Sequence, residues 1–548
     1  MTALDGFFES YYRLRPVNAT FTGVHDHDHR LPDWSPDGLA AAAGEMRSIR
    51  AALGDAPAAG VSLADVAERD RALAISFLDV QIAEVDSLHY QRGNPSLALG
   101  EAVFGVVSLI TRPFAPATQR ALSLAGRLEA LPGFLAGARQ SIVDGVPDPW
   151  RAKCLQECDG ATRLLRDGVP TWLAVESLSD PRLLQLGEKA CAAVDEYRRW
   201  LTTDVAAAAP ERLAVGSAFF DLLLRRGHHC AESAASLARR AGDALDDALA
   251  DLDRRAHMVA PGGYAEVQAR LANAHPIVAD YLSTYQDIWS DCQRASSEAD
   301  LVTWPAAPIR YVPIPVQTRD AAPFLYYLFY RSPAPFDRLP VHDYVVTPID
   351  ESMPPEEQQR RLRGANIGVI KLNHVVHHGA IGHHVQNSHA YAGASAIGCV
   401  AAVDCASRIG MFVGGTMAEG WACYATDLMD EIGFFTADES LAQQHTRARL
   451  LARAVVDIGL HAGTLTFDQA AGVYRDRLAM SPEAARGEAC KNSMFPGTAV
   501  MYWLGTDGLH RLRRARERAE GTAFSLRGFH DRVLSFGSIP VAMLESNW

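Results

Sequence analysis

Apolar residues recur every three to four positions along most of this chain, and that spacing confines it to a helical fold. Across 234–256, Ala241, Leu245, Leu249 and Leu252 stand at i, i+4, i+8 and i+11, one stripe of a helix. "LLARAVVDIGLHAG" (450–463) puts Leu451, Val455 and Ile458 on one face, with Gly463 as the stop. Residues 36–53, 64–86, 115–140 and 420–432 have the same character. One stretch cannot be long helix. "WPAAPIRYVPIPVQTRDAAPFLYYLFYRSPAPFDRLPVHDYVVTP" (304–348) sets proline every few residues among aromatics and β-branched residues, which predicts short edge strands and loops. The expected fold is therefore mainly α with a small β element. A boundary near 300 separates a helical N-terminal half, 1–300, from 301–548, which holds the β element and a second helical half. The two halves are expected to form one compact unit.

At 548 residues the chain can bury a large core. Its net charge of −13 argues against a nucleic-acid partner, which would need a basic face. The one basic run, "HRLRRARERAE" (510–520), intersperses arginine and glutamate and reads as a solvated helix face. The opening "MTALDGFFESYYRLRP" lacks a basic segment followed by an apolar one, and no apolar run approaches the roughly 20 residues that span a bilayer. These features set the expectation of a cytoplasmic protein with no membrane partner. Nine cysteines, the closest pairs being Cys154/Cys158 and Cys399/Cys405, show no CxxC motif and read as reduced, mostly buried thiols.

Chemistry concentrates in "HVVHHGAIGHHVQ" (374–386), where five of thirteen residues are histidine in a chain with 19. Zinc-bound nitrogens lie about 2.0–2.1 Å from the ion, so ligands must converge. On a regular helix only i, i+3 and i, i+4 neighbours do so, as in His374 with His377 or His378. His377 and His384 share a face but stand roughly 10 Å apart along the axis. His377 and His383, six apart, point to different sides and converge only if the helix breaks or bulges between them, where Gly379 and Gly382 sit. A single histidine here would read as a core or surface residue. A cluster this dense among Val375, Val376, Ile381 and Val385 reads as a metal or catalytic site. The second cluster, "HDHDH" (25–29), lies among turn formers and reads as a polar loop, or as a loop on the rim of an active site.

"HHGAIGHHVQ" (377–386) followed by "EGWACY" (419–424) resembles the paired H-E-x-x-P-G-H-H-x-Q and E-G-W-A-x-Y motifs of the DUF885 family of bacterial zinc-metallopeptidase-like proteins. "RAVVDIGLHAG" (453–463), "FPGTAVMYWLG" (495–505) and "FHDRVLSFGSIPVAML" (529–544) resemble further blocks of that family, so the likeness covers nearly the whole chain. The resemblance implies a helical metallopeptidase-like fold with a deep cleft. It implies a metal held by His377, His383 and Glu419, with His384 the alternative to His383. The implied metal is one divalent ion, zinc first, with iron or manganese as alternatives. Glu419 alone reads equally as a helix N-terminal glutamate.

The chain departs from the family pattern at four positions. The glutamate that would move protons in a zinc hydrolase is His378, the proline is Ile381, the arginine before the P-G block is Lys491, and the glutamine of P-G-Q-A is Thr498. A decayed site loses ligands, whereas this one has gained histidines. The candidate catalytic residues are His378, Tyr502 as an oxyanion donor, and His461, paired at i, i+4 with Asp457. Lys491, Trp421 and Tyr424 are the candidate substrate contacts. Asn373 and Gln386 are placed to orient ligands. The expected function is metal-dependent hydrolysis of an amide or peptide-like bond in a small substrate. The alternatives are non-hydrolytic chemistry on the same fold (lyase, cyclisation or oxidation, in specialised metabolism) and a non-catalytic binding protein.

Overall fold

A computed structural model describes residues 2–55, 62–324, 333–337, 339, 341–403 and 407–548. Cys405 and the "LYYLFYRS" part of the proline-rich stretch lie outside the described residues. The elements that place the site are the helices α1 (Ala117–Ser141), α2 (Pro181–Arg199), α3 (Ala234–Val259) and α4 (Tyr281–Glu298), then the strands β1 (Ile309–Pro313) and β2 (His342–Val346). The π-helical α5 (Ile370–Gly379) follows, with α6 (His383–Ala392), α7 (Gly415–Glu431), α8 (Ala437–His461), α9 (Pro482–Met494) and α10 (Val500–Glu520).

Helix boundaries follow the capping chemistry. Ser233 accepts from the Ser236 amide at the start of α3, and a reciprocal Thr436–Glu439 capping box opens α8. Glu439 also accepts from Lys371 Nζ at 2.9 Å, which ties α5 to α8. The stripe Ala241, Leu245 and Leu252 is buried as its spacing requires. Leu245 packs with Ala448, Ala452 and Val456 of α8. At the end of that helix Gly463 takes φ +74°, a left-handed turn that costs glycine little.

The proline-rich stretch yields a two-stranded parallel sheet, registered from Ile309 with His342 to Pro313 with Val346. Tyr311 and Tyr344 pair across it and face inward, onto the histidine helix. The largest core runs from Phe7 to Leu544 and includes Phe77, Tyr285, Ile381 and Trp421, so residues from both sides of 300 share it. A second core is built mostly from the N-terminal helices, where Leu128 and Leu135 of α1 meet Leu183 and Val194 of α2, and it takes in Ile314, Ala321 and Ala322. The basic run closes α10 with ion pairs to Glu431, Glu517, Glu520 and Glu545 along that helix and its neighbours, as a solvated face should. Among the described residues no helix is long and apolar enough to cross a membrane.

Candidate metal centre and cleft

The helix does break where the two glycines stand. α5 is wound as a π-helix, and after Gly379 the backbone leaves it through Ala380 (φ −126°, ψ −119°) and Gly382 (φ −73°, ψ −118°) before α6 begins at His383. Two indoles hold the crossover: the half-buried Trp289 donates to the Gly379 carbonyl and the buried Trp421 to the Ile381 carbonyl, at 2.8 and 2.9 Å. A Cβ on Gly382 would overlap the His377 carbonyl oxygen, and one on Gly379 the Tyr311 hydroxyl. This offset turns His377 and His383, six apart in sequence, onto each other with ring centres 4.9 Å apart.

Three imidazoles result. One donor atom from each of His377, His378 and His383 lies within 4.8 Å of the others. His378 Nδ1 donates to the Asn373 carbonyl at 2.7 Å, which fixes the tautomer and leaves the lone pair on Nε2. Burial and the neighbouring imidazoles hold His378 well below the usual histidine range, so it is a neutral base at pH 7.

Glu419 enters from α7. Gly420 beside it packs backbone to backbone on α10: a Cβ there would stand 2.5 Å from Gly505 Cα, and one on Gly505 would overlap the Thr416 carbonyl. That contact brings Tyr502 of α10 to donate to Glu419 Oε1 at 3.0 Å. Asp457 of α8 sets the register of α10 by accepting from the amides of Gly497, Ala499 and Val500, each at 3.0 Å.

The other oxygen, Glu419 Oε2, is buried with no hydrogen-bond partner among the described residues and lies 3.4 Å from His377 Nε2 and 3.5 Å from His383 Nε2. These separations are long for hydrogen bonds. Two ligands about 2.0–2.1 Å from a tetrahedral ion stand about 3.4 Å apart. The donor set therefore fits a small divalent metal. Burial would raise the Glu419 carboxyl, but His383 and His377 hold it well below the usual carboxylate range, so it is ionised as a ligand must be.

His377, His378, Glu419 and Tyr502 line a cleft of about 1050 Å³. Lys491 lines an adjoining cavity of about 1660 Å³. Burial, with Arg453 nearby, brings its ammonium down to about 8. Four other candidates lie elsewhere. His384 donates to the Ala307 carbonyl at 2.9 Å, and it is His383 that stands beside His377 and Glu419. His461, fully buried, donates to the Asn492 carbonyl and stacks on Phe220, so its pairing with Asp457 is structural. Trp421 is spent on the crossover, and Tyr424 is buried against His530 at 2.9 Å; neither lines the cleft. Asn373 acts through its carbonyl on His378, while Gln386 donates to Ser538 away from the ligands. In the "HDHDH" loop, His25 bridges Asp28 and Asp337 at 2.8 and 2.7 Å, outside the lining of either cavity.

Sequence reasoning missed Arg449 and Arg453, which line both the cleft and the adjoining cavity, and Glu488, which lines the cavity. Arg453 holds Glu488 through two bonds of 2.8 and 2.9 Å, and Arg449 adds one of 2.9 Å. The signal was present as a polar stripe at i, i+4 along α8, His445, Arg449, Arg453, Asp457 and His461.

The family described as bacterial protein of unknown function (DUF885) matches residues 16–547. A search of curated proteins finds no match. The fold is similar to that of "a putative lipoprotein of unknown function" from Shewanella oneidensis, at 20% identity and TM-score 0.76, over 99% of this chain and 98% of that one. It is also similar to a "putative lipoprotein" from Colwellia psychrerythraea, at 16% identity and TM-score 0.78, over 100% and 98%. These descriptions overturn the expectation of a cytoplasmic location, since lipoproteins are membrane-anchored. The physical reason is that a lipid anchor needs no apolar helix in the folded chain, so the lack of one fixes no compartment.

Proposed function

Since the chain belongs to the DUF885 family, we propose that it is a metal-dependent hydrolase of an amide or peptide-like bond in a small substrate. The observation that carries this reading is the buried Glu419 Oε2, set at ligand spacing from two imidazole nitrogens and without a hydrogen bond among the described residues. His377, His383 and Glu419 would hold the metal. When bound, a divalent ion supplies Lewis-acid activation of water and of the scissile carbonyl. His378 stands where the family motif has glutamate. Its Nε2 takes a proton and returns it to the leaving amine, while the bond to the Asn373 carbonyl keeps that nitrogen aimed at the cleft. Tyr502 is a positioning residue, because its proton is committed to Glu419.

One observation favours a second reading. With His378 as a further ligand the set becomes three imidazoles and one carboxylate, which suits iron or manganese and oxidative chemistry. Elemental analysis of the purified protein beside a His377→Ala/His383→Ala/Glu419→Ala variant tests both. About one metal per chain, absent from the variant, is expected. Zinc with release of amine from N-acyl dipeptides supports hydrolysis, and iron without it supports the second reading. A wild-type chain that takes up no metal on reconstitution overturns both.

A further inference from the structure

The cavity of about 1660 Å³ has a second wall, built by the helix Pro95–Ile110. Leu97, Gly100, Glu101 and Phe104 line it, a spacing of three and four that marks one helix face. Glu101 is the only charged residue in "PSLALGEAVFGVVSLI", where every other residue is apolar or small. A carboxylate half-buried in such a wall loses hydration and needs a partner. Among the described residues Glu101 makes no hydrogen bond and no ion pair, and the cations that act on it are Arg127 and Arg15. Arg127 is spent: its five N–H groups go to the carbonyls of Pro16, Arg30 and Gly105 and to the hydroxyls of Thr20 and Ser108. Arg15 is not. Its Nη2 donates to Gln81 Oε1 at 2.7 Å and meets Met46 Sδ at 3.6 Å, while Nε and Nη1 donate to nothing among the described residues. The other carboxylates around Arg15 are taken, Glu84 by Arg408 and Glu45 by Arg13.

Packing brings the two groups to one wall. A Cβ on Gly105, one turn after Glu101, would stand 3.6 Å from Val17 Cγ2, and Val17 is two residues after Arg15. Phe104 meets Phe21 edge to face, with ring centres 5.7 Å apart. Glu101 and Arg15 both line the cavity and act on one another, yet they form no ion pair. Arg15 is held in place: its guanidinium lies 5.1 and 5.3 Å from the centres of the Tyr11 and Phe77 rings, and Gln81, which accepts from it, donates in turn to Glu84. Burial pushes the Glu101 carboxyl up to about 7 although Arg127 and Arg15 pull it down, as suits a carboxylate with no close cation. We propose that this wall is a second ligand site, apart from the metal centre, for an apolar α-amino acid: Glu101 holds its ammonium, Arg15 its carboxylate, and Leu31, Leu39, Leu97 and Phe104 surround its side chain. Opposite charges that act on one another across one wall suit a ligand whose own charges are one carbon apart, not the two ends of a peptide. This site stands whether or not the metal centre hydrolyses anything.

The test is titration calorimetry of the full chain with L-leucine, with N-acetyl-L-leucine, which lacks the ammonium, and with L-leucinamide, which lacks the carboxylate. Leucine is expected to bind about tenfold tighter than either. Glu101→Gln should bring leucine down to the level of N-acetylleucine, and Arg15→Gln should bring it down to the level of leucinamide. Thermal unfolding confirms that each variant is folded, and the preference that each variant keeps is a second check: over leucinamide for Glu101→Gln, over N-acetylleucine for Arg15→Gln. Equal binding of the three ligands, no binding of leucine at millimolar concentration, or an unchanged leucine affinity in either variant overturns the site. Dileucine binding more tightly than leucine overturns the assignment to an amino acid.

Discussion

Two histidine-rich segments of this chain have nearly opposite fates. In the loop at 25–29, His25 has both ring nitrogens engaged, one by Asp28 and one by Asp337, and its ring stacks on Phe114 with centres 4.1 Å apart. His25 has no lone pair left for a metal. In the segment 374–386, the Asn373 carbonyl takes one His378 nitrogen and leaves the other facing the cleft, while Glu419 Oε2 has two imidazoles at ligand distance and no hydrogen bond. Histidine density is common to both. What separates them is what the ring nitrogens face: those of His25 face two carboxylates and cross-link the loop, while Nε2 of His377 and of His383 faces one buried carboxylate oxygen at ligand spacing.

The sharpest way to break that contrast is Glu419→Gln. The change keeps the oxygen that accepts from Tyr502 and removes the charge at the ligand oxygen. Metal content is expected to fall from about one per chain to trace, and turnover with it. Retention of metal would show that the three histidines suffice and that Glu419 is no ligand. Next in size is His378→Gln. With His378 as base, metal content stays and kcat/KM falls by roughly 10² to 10⁴. Metal lost along with activity makes His378 a ligand instead, and the second reading gains.

Much of this contrast was legible in the sequence. The spacing of six between His377 and His383 required a broken helix, and Gly379 and Gly382 marked the place. The two indoles that hold the break were not legible, because Trp289 comes from a helix about ninety residues earlier and Trp421 from one about forty later. Trp421 and Tyr424 stand beside Glu419 in sequence, yet a helix rotates them by about 200° and 500° from it, into the core. His461 misled for a related reason. An i, i+4 partner looks the same in sequence whether it faces a cleft or, as here, the Asn492 carbonyl. The helical class and the small β element followed from proline placement and apolar spacing, but the parallel pairing of β1 with β2 depends on contacts that no local pattern encodes.

The glycine crossing of α7 on α10 gives the third test. Gly505→Ala places a methyl group against the Thr416 carbonyl and the Gly420 backbone, where nothing can rotate aside. It should cost about 3 kcal/mol in denaturant unfolding and displace Tyr502 from Glu419. A loss below about 0.5 kcal/mol would mean that the two helices can part, and that Tyr502 does not fix the carboxylate.

The smallest effect sharpens the comparison from its other side. Burial disfavours a charge on His25, but Asp28 and Asp337 outweigh it and raise its pKa from 6.5 to about 9. A folded-state pKa above the unfolded value means that the folded chain binds the proton more tightly. The stabilisation is complete below about pH 6.5 and is lost as pH rises through about 9. The His25 side chain is 29% exposed, so solvent screening reduces the benefit to about 1–2 kcal/mol. His25→Gln should therefore lower unfolding stability by that amount at pH 6, with the gap to wild type closing by about pH 9, and should leave metal content unchanged. A gap that widens with pH would show that His25 is held neutral between its two carboxylates. A fall in metal content would show that the loop is coupled to the centre, and the division between a cross-linking histidine cluster and a metal-binding one would no longer hold.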